Sequence, residues 1–232
     1  MDTSVLVDLV RDGPILSVGI VSADLGHLSD ELALMERGGA RLVHVDVMDG
    51  VFCPMMTVGP PFVKAIRTSM VKDVHLMVDD PLAKVDWFVD AGADLLTFHL
   101  EGAPQPHRVL HVLGRAGVAR GVALNPSTPV DALEPLLDAL DYVLILAIDP
   151  GWGGQAFLDG TARRLDRARE LFERSGRPIV LGVDGGVTRE NIGAVARLGA
   201  DVIVTGSAIF DGGDAAANLA LMQRSLEEGV LA

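Results

Sequence analysis

Two histidines and two aspartates stand in or directly after apolar runs, where such side chains are uncommon. His44 and Asp46 share one run, His75 lies in the next, and Asp184 follows a later run. Groups of this kind, once buried, must be hydrogen-bonded, hydrated or bound to metal. Either histidine alone is typical of a hydrogen-bonded core residue, but the four together favour a metal site. Two imidazoles with two carboxylates suit Zn²⁺, Fe²⁺, Mn²⁺ or Co²⁺ better than Mg²⁺ or Ca²⁺.

Glycine-rich segments follow three of the later apolar runs. Glycine lets a backbone approach an anion closely, and free N–H groups, including those where a helix begins, can bind a phosphate. A single such segment is also common in ordinary turns. Three in consecutive loops indicate a phosphate site, and the segments are Gly151-Trp152-Gly153-Gly154, Gly185-Gly186 and Gly206-Ser207.

Eight short runs rich in Val, Ile and Leu separate segments with helical spacing of apolar residues, such as 28–37 and 161–174. Alternating strands and helices predict a parallel sheet. An open doubly wound sheet is one solution, but eight units in 232 residues favour a closed α/β barrel of the (β/α)₈ TIM type with a phosphate-binding mouth. The expected strands are 15–21, 42–47, 71–78, 95–100, 118–124, 142–148, 178–183 and 201–205.

The phase of two strands decides which side chains enter the barrel. Side chains alternate along a strand, so valines facing the helices place His44, Asp46 and Met48 inside. The same phase sends His75 and Met77 inside on the third strand. These residues approach the C-terminal ends of their strands, where barrel active sites lie.

Composition limits the remaining possibilities. With 19 Lys and Arg against 32 Asp and Glu, the formal charge is −13, so we expect no nucleic-acid partner. The negative charge of an anionic substrate would have to be balanced at the site itself, by backbone amides or a metal ion. No apolar stretch is long enough to span a membrane, and no basic segment precedes an apolar run at the start, so we expect no membrane association and a cytoplasmic location. We expect one domain over 1–232, with residues 1–14 as a short helical extension across the barrel bottom.

Other candidate residues fit ordinary roles. His107 and His111 are four residues apart on an expected surface helix without a third ligand, and His27 is expected to be exposed. His99 ends the fourth strand, where we expect it to line the mouth and support the ligands. The single cysteine, Cys53, cannot form an internal disulfide, and nothing adjacent marks it as a nucleophile.

From about residue 19 to the last strand and helix, the chain resembles the ribulose-phosphate 3-epimerase family. The resemblance implies that His44, Asp46, His75 and Asp184 bind a metal ion. It also implies that Asp46 and Asp184 are the acid/base pair and that the glycine loops bind phosphate. The matching motifs are HVDVMDG at 44–50, DVHLMV at 73–78, NPSTP at 125–129, PGWGGQ at 150–155, VDGGV at 183–187 and GSA at 206–208.

Three positions depart from the pattern of that family. Gly19 stands where the family has a serine that contacts substrate, and Leu146 stands where a third methionine lines the mouth beside Met48 and Met77. Met55 replaces a polar residue. The acid/base and metal residues are intact, but the sugar contacts are altered, so the reaction type is better supported than the substrate.

The predicted reaction moves a proton on and off carbon 3 of a small phosphorylated ketose through an enediolate. Two carboxylates serve the two faces, and no redox cofactor is implied. The expected substrates are D-ribulose 5-phosphate and D-xylulose 5-phosphate, and the expected assembly is a homo-oligomer. Alternatives are a hexulose-phosphate (allulose 6-phosphate) 3-epimerase and a non-catalytic phosphosugar-binding barrel. A lyase of a related barrel would need a catalytic lysine inside the barrel, but none of Lys64, Lys72 and Lys84 lies at the C-terminal end of an expected strand.

Overall fold

The computed structural model of the protein describes residues 3–231. Its eight strands are β1 Ile15–Gly19, β2 Leu42–Met48, β3 Val71–Met77, β4 Leu95–His99, β5 Ala119–Leu124, β6 Tyr142–Leu146, β7 Val180–Asp184 and β8 Val202–Thr205. The helices are α1 Thr3–Leu9, α2 Leu28–Arg37, α3 Pro60–Ala65, α4 Val85–Asp90, α5 Pro106–Ala116, α6 Thr161–Ser175, α7 Ile192–Ala196, α8 Ser207–Phe210 and α9 Ala215–Leu231. None of these helices combines the length and hydropathy of a transmembrane span.

The strands form a closed parallel barrel in sequence order, and β8 pairs with β1 to complete the ring. This confirms the (β/α)₈ fold and excludes the open sheet. Between β5 and β6 the connection is a 3₁₀ helix, Val130–Ala139, with Pro135 inside it. Proline removes an N–H donor and clashes with the preceding turn, which explains why an α-helix does not form there.

Strands β2 and β3 carry the predicted phase. They pair residue by residue, with His44 opposite Asp73, Asp46 opposite His75, and Met48 opposite Met77. The intervening valines of β2 are buried in the layer between the strands and helices. Polar and charged side chains therefore line one column inside the barrel, while the outer face supplies the main hydrophobic core.

One large side chain fills the barrel beneath the polar column. Tyr142 from β6 is fully buried, and it is paired with Gly121 on β5 and with Val180 on β7. A Cβ atom at Gly182 would lie 1.9 Å from the Tyr142 hydroxyl oxygen. Glycine is required at this position because the aromatic ring occupies the space of its side chain.

The bottom of the barrel is closed by helix α1. Its Leu6 is 1% exposed and belongs to a cluster of buried side chains with Ile15, Leu42 and Leu95, which begin or stand near the beginning of strands. The barrel therefore opens to solvent at the other end, where the strands finish.

Candidate active site

Four side chains converge where strands β2, β3 and β7 end. One ligand atom each of His44, Asp46, His75 and Asp184 lies within 4.8 Å of all the others. Asp46 Oδ1 is 3.1 Å from His44 Nε2 and 3.0 Å from His75 Nδ1. His75 Nδ1 is 3.8 Å from Asp184 Oδ2. Ligands ~2.0–2.1 Å from a tetrahedral ion are ~3.3 Å apart, so this cluster could hold one metal ion.

The charge of the cluster also fits a cation. Asp46, Asp184 and the fully buried Asp73 lie close together, and within residues 3–231 their ion-pair partners are histidines, with no Lys or Arg among them. Three carboxylates against two histidines leave an excess of negative charge in the interior, and buried charge that is not fully paired is unfavourable. A divalent ion at the centre of the four ligand atoms would neutralise it.

In the metal-free protein the two site carboxylates have different acidities. Burial opposes ionisation of Asp46, but the charges and hydrogen bonds of His44 and His75 outweigh it and hold the pKa well below its ordinary value. Burial, followed by the neighbouring Asp46 carboxylate, raises the pKa of Asp184 to about 6. Paired carboxyl groups with divergent pKa values are typical of acid/base sites.

Asp73 orients His44 from behind. Its Oδ2 atom lies 2.6 Å from His44 Nδ1 and accepts a hydrogen bond of 3.0 Å from the Ser17 hydroxyl. When a metal ion is bound, an Nδ1 proton donated to Asp73 would leave the Nε2 lone pair of His44 facing the cluster. Burial lowers the pKa of His44, but Asp73 and Asp46 outweigh this effect and hold it well above its ordinary value. We did not single out Asp73 or Ser17 from the sequence, although Asp73 shares the phase of His75.

His99 contacts a ligand of the cluster, as expected, but it does not line the open mouth. It is fully buried, and its Nε2 atom lies 2.8 Å from His75 Nε2. Burial lowers the pKa of His99 to about 4, which favours the neutral imidazole. It therefore supports His75 from inside the barrel wall rather than lining the entrance.

A cavity of about 270 Å³ opens beside the two carboxylates. It brings together most of the predicted glycine residues, and its lining adds Ser22, Gln155 and Thr188, which the sequence analysis missed. Gly151 and Trp152 lie outside this lining: Gly151 packs against Cys53 and Pro54, and Trp152 is 47% exposed. The predicted residues that do line the cavity are Gly19, Asp46, Gly153, Gly154, Asp184, Gly185, Gly186, Gly206 and Ser207.

Two pairs of close contacts explain the glycines of this cavity. Gly186 has φ +67°, and a Cβ atom there would lie 2.6 Å from the backbone nitrogen of Phe157. At the other side, a Cβ on Gly19 would lie 3.2 Å from Gly206 Cα. The ends of β1 and β8 thus approach so closely that a serine at position 19 would press on the loop that contains Gly206.

The predicted apolar lining lies beside the cluster. Met48 and Met77 are paired at the ends of β2 and β3, and Leu146 is paired with Asp184 across β6 and β7. Met77 and Leu146 are each 2% exposed. These side chains reduce the polarity of the wall next to the carboxylates.

The remaining candidates lie elsewhere. His107 and His111 are exposed on α5 and border a separate surface groove. His27 forms an exposed ion pair with Asp24. Cys53 is buried in the loop after β2, where burial raises the pKa of its thiol. The structure brings none of these four residues into the cluster.

Comparison with known proteins agrees with this geometry. Residues 15–210 match the model of the ribulose-phosphate 3 epimerase family. A ribulose-phosphate 3-epimerase of Cupriavidus necator is 43% identical over 206 residues, covering 86% of each chain. The enzyme of that name from Bacillus subtilis is 40% identical over 198 residues, covering 84% of this chain and 91% of its own.

The chain belongs to the ribulose-phosphate 3-epimerase family. A solved structure of 3-hexulose-6-phosphate synthase from Salmonella typhimurium has a TM-score of 0.66 at 20% identity, covering 93% of this chain and 99% of its own. That likeness concerns the barrel fold alone. Membership of the epimerase family instead rests on matches that include the strands carrying all four clustered residues.

Proposed function

We propose that this chain is a metal-dependent phosphoketose 3-epimerase that interconverts D-ribulose 5-phosphate and D-xylulose 5-phosphate. The observation that carries the proposal is the convergence of His44, Asp46, His75 and Asp184 beside a glycine-lined cavity. Family membership supports the same reaction, since the relatives named above are ribulose-phosphate 3-epimerases. The enzyme would thus be an isomerase acting on a carbohydrate.

Epimerisation at carbon 3 requires removal of a weakly acidic proton beside the ketone and its return to the opposite face. One carboxylate would take the proton from carbon 3, leaving an enediolate, and the other carboxyl group would deliver its proton to the other face. Asp46 and Asp184 suit these roles because they extend from β2 and β7, on different sides of the ring. For the reverse reaction the two residues exchange roles.

The His/Asp donor set fits Zn²⁺, Fe²⁺, Mn²⁺ or Co²⁺, held by His44, Asp46, His75 and Asp184. Such an ion would supply positive charge near the ketone and hydroxyl oxygens, where negative charge develops. The residues themselves set the site: Asp73 orients His44, and the two carboxylates exchange protons with carbon 3.

The phosphate would bind in the cavity formed by the loops after β6, β7 and β8. Gly186 and Gly206 allow close approach of backbone, and Ser207 adds a hydroxyl donor. Among residues 3–231, no Lys or Arg lines this cavity. Binding energy from the phosphate can position carbon 3 between the carboxylates. We include Gly151 and Trp152 of the same β6 loop in the proposed phosphate-binding set, as residues that order Gly153 and Gly154.

The deciding experiment measures initial rates on four- to six-carbon ketose phosphates, with metal content determined on the same sample. We expect the fastest turnover with D-ribulose 5-phosphate. A preference for allulose 6-phosphate would assign the hexulose-phosphate reaction. This alternative is tested because the sugar contacts differ from the family pattern at Gly19, Met55 and Leu146. Binding without turnover of any ketose phosphate would identify a non-catalytic phosphosugar-binding barrel and refute the proposal.

Two further proposals concern the protein in the cell. We propose a homo-oligomer, to be tested by light scattering coupled to size-exclusion chromatography. A monomer across the micromolar range would contradict it. We also propose a cytoplasmic location, which cell fractionation tests directly.

A further inference from the structure

The two histidines of the cluster face it through different nitrogen atoms. His44 points its Nε2 atom toward Asp46, whereas His75 points its Nδ1 atom toward Asp46 and Asp184. The nitrogen behind each ring therefore also differs, and so does the group that it meets. His44 meets a carboxylate directly, but His75 meets another imidazole, that of His99.

The contact between His75 and His99 restricts the positions of their protons. If His75 Nδ1 offers its lone pair to a metal ion, His75 Nε2 must carry the proton. His99 Nε2, at 2.8 Å, must then accept this proton in a hydrogen bond. Neutral His99 consequently carries its own proton on Nδ1, and that buried N–H group needs an acceptor.

Glu101 is the carboxylate beside His99 Nδ1, a buried nitrogen that forms no hydrogen bond of ordinary geometry within residues 3–231. Its Oε2 atom lies 3.4 Å from His99 Nδ1. Its other oxygen, Oε1, accepts a 2.7 Å hydrogen bond from the backbone N–H of Asn125 and a second from the Thr128 hydroxyl. The loop after β5 thus holds the carboxylate in place. The side chain of Asn125 also contacts His99 and is the competing acceptor.

Aromatic packing holds the His75–His99 pair in this orientation. The rings of His75 and His99 stack with centroids 4.9 Å apart, and Phe52 packs on His99 at 4.7 Å. His75 and His99 are both fully buried. The direction of the hydrogen bonds is therefore set by protein groups, without solvent to supply an alternative partner.

We propose that Glu101 and His99 are positioning residues for the metal site. Glu101 holds His99 as the Nδ1–H tautomer, and His99 holds His75 as the Nε2–H tautomer, so that the His75 Nδ1 lone pair faces the metal. The NPSTP segment, at 125–129, would fix the position of the Glu101 carboxylate through its hydrogen bonds to Oε1. This inference rests on the proposed function, because it requires a metal ion at the four-residue cluster.

The direct test is the imidazole ¹⁵N spectrum of the full chain loaded with Zn²⁺, with signals assigned by single histidine substitutions. We expect protons on Nδ1 of His44, Nε2 of His75 and Nδ1 of His99. A proton on Nδ1 of His75, or on Nε2 of His99, would overturn the proposal. The tautomer readout is independent of turnover and is insensitive to a merely structural role.

Zn²⁺ affinity, measured by competition with a chromophoric chelator, tests the energetic consequence. Removing a group that orients a metal-binding histidine costs about 10- to 100-fold in affinity. We expect a loss of this size for His99→Leu and a much smaller loss for His99→Gln, whose amide oxygen can accept from His75. Glu101→Gln should weaken binding in the same direction as His99→Leu.

Glu134→Gln is the matched control for Glu101→Gln, because it makes the same change at an exposed carboxylate that pairs with Arg174 and does not belong to the cluster. It should bind Zn²⁺ within about twofold of the parent, well below the ~10-fold minimum loss expected for a disrupted orienting group.

Equal affinities of the parent, His99→Leu and Glu101→Gln would refute the inference while leaving the metal site intact. A loss confined to Asn125→Ala would also refute it, by assigning the role to Asn125. A parent that binds no Zn²⁺ would instead refute the proposed metal-dependent function, and with it this inference. Should His99→Leu fail to fold, the tautomers of the parent and the affinity of Glu101→Gln decide.

Discussion

Replacing Gly186 with alanine should damage phosphate recognition through the backbone. A non-glycine residue in the left-handed region costs about 1–2 kcal/mol, and Gly186 has φ +67°. The new Cβ would also lie 2.6 Å from Phe157 N and 2.8 Å from Phe157 Cα. These separations are about 0.7–0.9 Å shorter than van der Waals contact at ~3.5 Å, and backbone atoms cannot rotate away.

The loop must therefore shift by about 1 Å. A misplacement of about 1 Å costs about 100-fold in rate, or about 2.7 kcal/mol in transition-state binding. We expect kcat/KM for the phosphorylated ketose to fall by about that factor. The assay compares the parent and Gly186→Ala on the phosphorylated ketose and on the free sugar. With the free sugar, which lacks the phosphate, the two proteins should be much closer.

Gly153→Ala is the matched control for this prediction. Gly153 lines the same cavity, but a Cβ atom there meets nothing within 4 Å and its φ is not positive. This variant should retain kcat/KM within about threefold, equivalent to less than ~0.7 kcal/mol. If both variants behave alike, or if Gly186→Ala loses the same factor on both sugars, the loop does not act through the phosphate. A thermal melt of each variant separates this effect from global unfolding.

Four other outcomes follow from the site. Chelation should abolish turnover and added Zn²⁺, Fe²⁺, Mn²⁺ or Co²⁺ should restore it; full activity in a preparation shown to be metal-free would contradict the assignment. In D₂O the product should gain deuterium at carbon 3, and metal-loaded Asp46→Asn or Asp184→Asn should lose epimerisation; interconversion at the parental rate would rule out two bases. Because the pKa of Asp184 is raised to about 6 by burial and by Asp46, its contribution to the stability of the metal-free protein is present at low pH and lost as pH rises through about 6. Asp184→Asn should therefore melt higher than the parent at pH 8 but not at pH 4, and a pH-independent difference would argue against the shift. Tyr142→Phe should raise the free energy of unfolding by about 1 kcal/mol and the melting temperature by ~2–4 °C, because the buried hydroxyl has no hydrogen-bond partner within residues 3–231. A melting temperature below that of the parent would reveal a partner.

The barrel could be predicted from the sequence because short apolar runs alternate eight times with segments that have the apolar spacing of a helix. The predicted ends of the strands were less accurate. The first run was expected to extend to 21, but β1 ends at Gly19 and a 3₁₀ helix, Ile20–Ser22, follows. Ile20 is fully buried although it lies outside the strand. Apolar residues in loops that pack on the barrel lengthen the apparent strand, since burial and not strand geometry produces the pattern.

Strand phase predicts that His44, Asp46 and His75 lie on the inner face, and Asp184 could be predicted from its position directly after the seventh apolar run. The partners behind them could not, because they depend on register between strands. His99 meets His75 only through the way β3 aligns with β4, and Glu101 reaches His99 from the following 3₁₀ turn, Leu100–Gly102. Likewise, the close approach of Gly19 to Gly206 joins the first and last strands. No local spacing in the sequence encodes either contact.

The four candidate metal ligands come from widely separated parts of the chain. His44, Asp46 and His75 lie on the adjacent strands β2 and β3, so an early fragment of the ring already carries three donors. Asp184 arrives with β7, close to the final closure of β8 on β1. A fragment that ends before β7 therefore lacks Asp184, the fourth donor of the cluster.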